Sequence, residues 1–254
     1  MLIGTLSANQ IKFIASLQQK KYRQKYNKFV VEGEKIVTEL LKFHKDACLY
    51  LVVSEELVES WDRMPETKGV DIFSLPSAAF SKISSMSTPP PVLALVDTES
   101  LPSEPRNKTV LYLDALRDPG NMGTVIRLAD WFGLGAVCCS PQCVEVLNPK
   151  VIQATMGSIF RVPILFMDLL TLKKENANLP IVTLDMEGSS IDSTEFPTEA
   201  IFVIGGESHG VSDQVSELSD IQLTIPKHSG GDLPESLNAA NAAAILAYEI
   251  RRKR

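Results

Sequence analysis

The sequence predicts an α/β protein built in two parts. Short runs rich in Val, Ile and Leu alternate with amphipathic stretches along its 254 residues, which is the pattern of strands covered by helices. A polar stretch, "DTESLPSEPRNK", carries Pro102 and Pro105 and divides the chain. The boundaries that follow are a first domain over 1–97, a linker over 98–108 and a second domain over 109–254.

In the first domain, Ser7 and Gln10 have the spacing of a capping box. Ile11, Ile14, Ala15 and Leu17 then recur at helical spacing. "KFVVEG" is a short strand ending at Gly33. "EKIVTELLKFH" is an amphipathic helix with Ile36, Val37, Leu40 and Leu41 on one face. "CLYLVVS", "VDIFSLP" and "VLALVD" are three further strands.

The second domain opens on the apolar strand "TVLYLDAL". A helix from about Asn121 to Phe132, the strand "GAVCCS" and a helix near "NPKVIQATMGSIF" follow. "IVTLDM" and "AIFVIGGE" are strands, and "DIQLTIP" reads as an edge strand closed by Pro226. The last helix runs from about Leu237 to Arg252, with Ser236 as its expected N-cap. Apolar strands alternating with helices predict a parallel sheet covered on both faces.

Composition narrows the function. No apolar run approaches the ~20 residues of a membrane span. The N-terminus lacks the basic and apolar regions of a signal peptide. Cys48, Cys138, Cys139 and Cys143 fit no paired metal spacing and read as reduced thiols, so a cytoplasmic protein is expected. The net charge is −6, which argues against nucleic-acid binding by the chain as a whole. Yet Lys12, Lys20, Lys21, Arg23, Lys25 and Lys28 come with no acid between them, interleaved with Tyr22, Tyr26 and Phe29. That run is either a solvated face or a surface that neutralises phosphates and stacks bases.

Three loops have the make-up of ligand sites, which open α/β sheets place beyond strand ends. "RDPGNMGTVIR" joins a strand to a helix through Gly120 and Gly123, with Arg127 two turns into the helix. It matches neither G-x-x-x-x-G-K-[ST] nor G-x-G-x-x-G, which disfavours a nucleoside triphosphatase or a dinucleotide-binding dehydrogenase. "VIGGESHGVS" ends a strand in Gly205-Gly206 and continues through Glu207 and Gly210. His209 is one of three histidines, and its loop position alone does not make it catalytic. "IPKHSGGDLPESLNAANAAAILAYEIRR" leads into an alanine-rich helix that suits either core packing or a subunit interface.

In this order the three motifs resemble those of the SpoU family of RNA ribose 2′-O-methyltransferases, part of the TrmH-like SPOUT class. The resemblance implies a deep trefoil knot around the parallel sheet of the C-terminal domain. It implies a small RNA-binding domain ahead of it, similar to a small ribosomal protein. The implied methyl donor is S-adenosylmethionine (SAM), with no metal. The implied donor contacts are Thr183, Leu184, Gly205, Gly206, Ile225, Ser236, Leu237 and Asn238. The implied catalytic set is Asn121, Arg127, Glu207, Ser236 and Asn238, and the expected RNA contacts are Lys20, Lys21, Arg23, Lys25, Lys28 and Arg127.

The family's proposed base is the arginine of the first motif. A guanidinium holds its proton far above neutral pH, so the expected role of Arg127 is to bind a phosphate and stabilise charge on the 2′-oxygen. Ribosomal RNA is the expected substrate, and the family works as homodimers through the knot domain. The alternatives are a transfer-RNA 2′-O-methyltransferase and a non-catalytic RNA-binding protein of the same fold. Two departures stand out: a loop over 227–235 longer than is usual for the family, and Asn241 at a position that is commonly apolar.

Overall fold

The computed structural model describes residues 3–207, 209–228 and 236–253. In chain order, its elements begin with β1 (Ile3–Thr5), α1 (Ala8–Ser16), α2 (Lys20–Tyr26), β2 (Lys28–Glu32) and α3 (Glu34–Phe43). β3 (Cys48–Ser54), α4 (Val58–Asp62), β4 (Ile72–Leu75) and β5 (Val92–Asp97) follow. Next come β6 (Thr109–Asp114), α5 (Pro119–Phe132), β7 (Ala136–Cys139), α6 (Pro149–Thr155), β8 (Ile164–Phe166) and α7 (Leu169–Glu175). The chain continues through β9 (Ile181–Ser190), β10 (Ala200–Gly205), α8 (Asp213–Ser216), β11 (Ile221–Thr224) and α9 (Ala239–Arg252).

Two compact units result: residues 1–101 with 145–161, and residues 102–144 with 162–254. The sequence boundaries assign 145–161 to the second domain, whereas these residues pack with the first unit. The physical reason is a pair of charged anchors. Arg23 is buried, and its Nε donates to Oε1 of Glu145 at 2.9 Å. Its Nη1 also donates to the carbonyls of Leu17 at 2.7 Å and Gln18 at 2.8 Å. Arg161 pairs with Glu39 at 2.5 Å, and Gln153 Nε2 donates to the carbonyl of Glu32 at 2.9 Å. Arg23 is therefore an internal strut, not the RNA contact expected of it.

The first unit holds a mixed sheet ordered β1-β4-β3-β5-β2. β1, β4 and β3 run parallel, while β5 is antiparallel to both β3 and β2. Ile14, Val52, Leu75, Phe80 and Leu93 form part of its core. The capping box of Ser7 and Gln10 forms as the spacing predicts. The four positions expected on the apolar face of α3 are all buried.

On the surface of this unit, α2 exposes Lys20, Lys21 and Lys25. Tyr22 and Tyr26 stack with centroids 6.2 Å apart and planes 8° from parallel. Lys21 and Lys25 lie 4.8 and 5.0 Å from the centroids of these two rings. Phe29 is fully buried and offers no base a stacking face, and Lys28 is paired with Asp97 at 3.5 Å.

The second unit contains the expected parallel sheet, ordered β11-β9-β10-β6-β7-β8, with β11 at one edge. One face packs Val110, Tyr112, Ile181 and Val203 with Leu169 and Leu172 of α7. On α9, Ala243, Leu246, Ala247 and Ile250 are buried, and the helix packs on α5 and β10. α5 begins two residues earlier than the sequence suggests, because Asp118 caps it and Pro119 suits its first turn. The helix expected near Asn148–Phe160 stops at Thr155, where Met156 and Gly157 are left-handed at φ 50° and 93°. α9 starts at Ala239 with Asn238 as N-cap; Asn238 Oδ1 accepts from the N–H groups of Ala240 and Asn241, so Ser236 is not the cap. β1, β8, α4, α7 and α8 carry no pattern strong enough to be assigned from sequence; each is short. Among the described residues, no helix is long and apolar enough to cross a membrane. The long loop noted over 227–235 lies, from 229 onward, outside the described residues.

Two measurements follow from this packing. Glu145→Ala leaves the Arg23 guanidinium buried without its counter-charge, so urea unfolding should show a loss of about 3–5 kcal/mol; an unchanged midpoint would mean that the pair carries no stability. Hydrogen bonding from Cys139 holds the half-exposed Cys143 thiol down at about 7, against the opposing effect of burial. Burial pushes Cys48 and Cys138 up to about 12. Iodoacetamide, which reacts with thiolate, should therefore label Cys143 first, at a rate that climbs through about pH 7 and then levels.

Candidate active site

The site lies at the C-terminal ends of β6, β10 and β11, against the middle of β9, and parallel sheets of this kind hold ligands beyond their strand ends. Its floor is a close crossing of backbones. A Cβ on Gly205 would lie 2.0 Å from the carbonyl carbon of Gly210, and one on Gly206 would lie 2.6 Å from the carbonyl oxygen of Ala115. No side chain fits at either position. Gly206 and Gly210 form an isolated bridge, and Gly210 is left-handed at φ 64°. Ala115 is also left-handed at φ 56°, a strained state for alanine, and Ser140 Oγ accepts from its N–H at 2.9 Å. The N–H of Ser212 donates to Asp114 Oδ2 at 2.8 Å and ties the glycine loop to the end of β6.

Above this floor opens a cavity of about 570 Å³, a volume ordinary for a small-molecule site. Its apolar walls include Leu184, Ile204, Ile225 and Leu237. Asp185, Glu207, Lys227, and His209 and His228 bring charge or titratable groups to it. Of the expected donor contacts, Leu184, Gly205, Gly206, Ile225, Ser236 and Leu237 line this cavity. Thr183 and Asn238 are not among its lining residues. Thr183 is buried one position earlier in β9, its Oγ1 hydrogen-bonded to Ser219 Oγ at 2.8 Å.

Asn238 faces the other way, into a chain of side chains from three elements. Its Nδ2 donates to Asn121 Oδ1 at 2.9 Å, and Asn121 Nδ2 donates to Glu207 Oε1 at 2.7 Å. Glu207 Oε2 accepts from the N–H of Arg117 at 3.4 Å. Each amide thus has its orientation fixed by the next, and the chain ends on a carboxylate that borders the cavity. A second, smaller cavity of about 210 Å³ adjoins the first, and Gly206, Glu207, His209 and Gly210 line both. Asp114, Ala115, Arg117 and Ser212 complete it.

The structure therefore brings together Asn121, Glu207 and Asn238, with Ser236 on the cavity wall. Arg127 is exposed on α5 and lines neither cavity. Asn241, at the departure from the family pattern, is exposed on α9 and its N–H is taken up by the Asn238 cap. Asp185, Lys227 and His228 are site residues that sequence reasoning missed. Asp185 lies within β9, and Lys227 and His228 follow three and four positions after the end of β11, so only the meeting of these two strands makes them neighbours.

Comparison with known proteins fits this architecture. Residues 108–248 match the model of the SpoU rRNA Methylase family, more than half of the chain. The chain belongs to the SpoU family. Residues 8–94 match the MRM3-like substrate binding domain. The chain is 32% identical, over 98% of its length and 98% of the relative's, to 23S rRNA (guanosine(2553)-2′-O)-methyltransferase RlmP of Bacillus subtilis. A structure from Porphyromonas gingivalis, described as an RNA methyltransferase of the TrmH family, superposes with a TM-score of 0.85 at 37% identity, covering 98% of this chain and 100% of that one. The AdoMet-bound rRNA methyltransferase of Sinorhizobium meliloti shares the fold, with a TM-score of 0.81 at 24% identity over 99% of this chain and 98% of its own.

The amide chain gives this SpoU site a measurable signature. Asn121→Asp turns a donor into a carboxylate facing Glu207, so one of the two acids is held above its unfolded pKa. The variant should melt below the parent at neutral pH, and the gap should close as the pH falls below about 5. A gap independent of pH would mean that the two side chains do not face each other.

Proposed function

We propose that this protein transfers the methyl group of SAM to a ribose 2′-hydroxyl of ribosomal RNA. The observation that carries the reading is the glycine-floored cavity joined to the Asn121–Glu207–Asn238 chain, in a member of the SpoU family. The residues present fit the donor. Gly205 and Gly206 leave bare backbone to lie against, and Leu184, Ile225 and Leu237 offer an apolar wall. Asp185 and Glu207 suit a cationic group. Bound there, SAM supplies a methyl carbon already activated by the sulfonium charge, so no metal is required.

The chain's own residues then position the nucleophile. Asn121 and Asn238 hold Glu207 in place, and Ser236 adds a hydroxyl to the wall. Arg127, exposed on α5, is free to meet an RNA phosphate with a planar, bidentate guanidinium. On the first unit, Lys20, Lys21 and Lys25 with the stacked Tyr22 and Tyr26 supply phosphate neutralisation and a stacking platform. Lys28 is partly committed to Asp97.

The same reading includes a homodimer formed through the knot domain. α5 and α9 pack together and leave Trp131 83%, Ile245 36% and Tyr248 55% exposed. Large apolar side chains concentrated on two adjoining helices are costly in water and suit a second copy. The knot expected of the second and third motifs falls in part outside the described residues.

Calorimetric titration should show saturable SAM binding, no NAD binding, and loss of the SAM heat in Gly205→Ala, where a methyl group would collide with Gly210. Absence of SAM binding by the parent protein, with and without ribosomal RNA, would overturn the reading. Arg127→Lys should lose most methyl transfer to ribosomal RNA while keeping SAM affinity; near-normal turnover would remove the bidentate role. Trp131→Glu should shift the sedimentation coefficient from that of a dimer to that of a monomer, and an unchanged value would count against the α5–α9 interface.

A further inference from the structure

The four cysteines of the chain are not alike. Burial pushes Cys48 and Cys138 up to about 12, so both hold their protons. Cys143 is half-exposed and is held down at about 7, first by its hydrogen bond with Cys139. A nucleophilic sulfur needs both thiolate character and access, and Cys143 has both. It lines neither cavity, so nothing in methyl transfer accounts for it.

Its surroundings supply a second thiol and a route to the site. Cys139 is buried at the end of β7 and pairs in register with Leu113 of β6. Cys143 closes the turn that follows, its N–H donating to the carbonyl of Ser140 at 3.1 Å. Its Sγ lies 3.2 Å from the carbonyl of that same Leu113, beside the Cys139 thiol to which it is hydrogen-bonded. The turn is tied to the segment that leaves β6. Ser140 Oγ accepts from the N–H of Ala115 at 2.9 Å and lies 3.6 Å from Cys143 Sγ. The N–H of Val144 donates to the carbonyl of Leu116 at 2.9 Å. Ala115 is the left-handed residue whose carbonyl passes against Gly206. A continuous set of contacts thus runs from Cys143 through Ser140 and Ala115 to the floor of the larger cavity.

We propose that Cys143 is a site of oxidation by hydroperoxides, that Cys139 then closes a disulfide with it, and that this bond loosens the floor of the larger cavity. In the first step the Cys143 thiolate attacks one oxygen of hydrogen peroxide. The O–O bond breaks, its electrons leave on the other oxygen, and that oxygen takes up a proton and departs as water. Cys143 is now a sulfenic acid, oxidised by two electrons that the peroxide has gained. In the second step the Cys139 sulfur attacks the Cys143 sulfur. The S–O bond breaks, and the leaving oxygen takes the Cys139 proton and a second proton from solvent as the next water. The sulfenic oxygen carries the remaining charge balance, so two thiols and one peroxide give one disulfide and two waters. The two sulfurs must close from hydrogen-bonding contact to about 2.05 Å. That movement takes Cys143 away from Leu113 and Ser140, and the Ser140 hydroxyl no longer holds the strained turn at Ala115. The effect on the methyl donor rests on the methyltransferase reading above, whereas the disulfide and the loosened turn do not.

The test treats the full chain with hydrogen peroxide and reads it by mass spectrometry, amide hydrogen exchange and calorimetry. The peptide holding Cys139 and Cys143 should lose two hydrogens, and both cysteines should resist alkylation after unfolding until dithiothreitol is added. The amide of Ala115, released by Ser140, should exchange faster in the oxidised protein, and so should the backbone around Gly206. SAM affinity should fall by about tenfold, an ordinary size for coupling between separate sites, and dithiothreitol should restore it. Cys139→Ser should stop at a sulfenic acid on Cys143 that dimedone traps. Cys143→Ser, whose hydroxyl can still reach the Leu113 carbonyl, should bind SAM within a few-fold of the parent and should not respond to peroxide. The proposal falls if Cys143 and Cys139 stay alkylatable after peroxide, if Cys143→Ser responds as the parent does, or if the disulfide forms and exchange at Ala115 is unchanged. A reduced parent that binds no SAM overturns the methyltransferase reading instead, and mass and exchange still decide the thiol pair.

Discussion

Two missing side chains at the end of β10 set the shape of the active site. At Gly205 and Gly206 the backbone passes so close to Gly210 and Ala115 that a single methyl group would lie 2.0 to 2.6 Å from main-chain atoms. That crossing brings the loop after β10 against the end of β6. It also aims Glu207 at Asn121. Remove the close approach and the carboxylate, the two amides and the wall between the cavities lose their common support. The strained Ala115 belongs to the same crossing: its left-handed backbone turns the chain from β6 toward α5, and hydrogen bonds at Ser140 and Asp114 hold that turn.

Electrostatics at the site are arranged through neutral donors. Glu207 accepts from the side-chain amide of Asn121, and Asp114 from the backbone N–H of Ser212. Such carboxylates keep their negative field at the cavity edge, which a cationic methyl donor can use. The exposed lysines of α2, beside the stacked Tyr22 and Tyr26, concentrate positive charge locally on a chain whose net charge is negative.

The first unit depends on a buried ion pair joining residues far apart in the chain. Arg23 satisfies two carbonyls at the end of α1 and the carboxylate of Glu145. A basic residue in a basic run is thereby taken out of the surface. Its neighbours Lys20, Lys21 and Lys25 remain exposed because α2 turns them outward. One helix thus divides the run between structure and surface, and helical periodicity decides which residue goes where.

The sequence by itself determined the α/β class, the parallel sheet of the second unit, the capping box at Ser7, the buried face of α3 and the three glycine and asparagine motifs of the SpoU family. These follow from local periodicity, capping chemistry and fixed spacing, all of which are written in neighbouring residues. Tertiary structure alone decided that residues 145–161 pack with the first unit, that Arg23 is internal, that Thr183 lies beneath the cavity, and that Asn238 caps α9. It also decided that His209 stands between two cavities. The reason is the same in each case: which side of a strand end or helix a residue faces depends on partners tens of residues away, and Glu145 and Asn121 are such partners for Arg23 and Asn238.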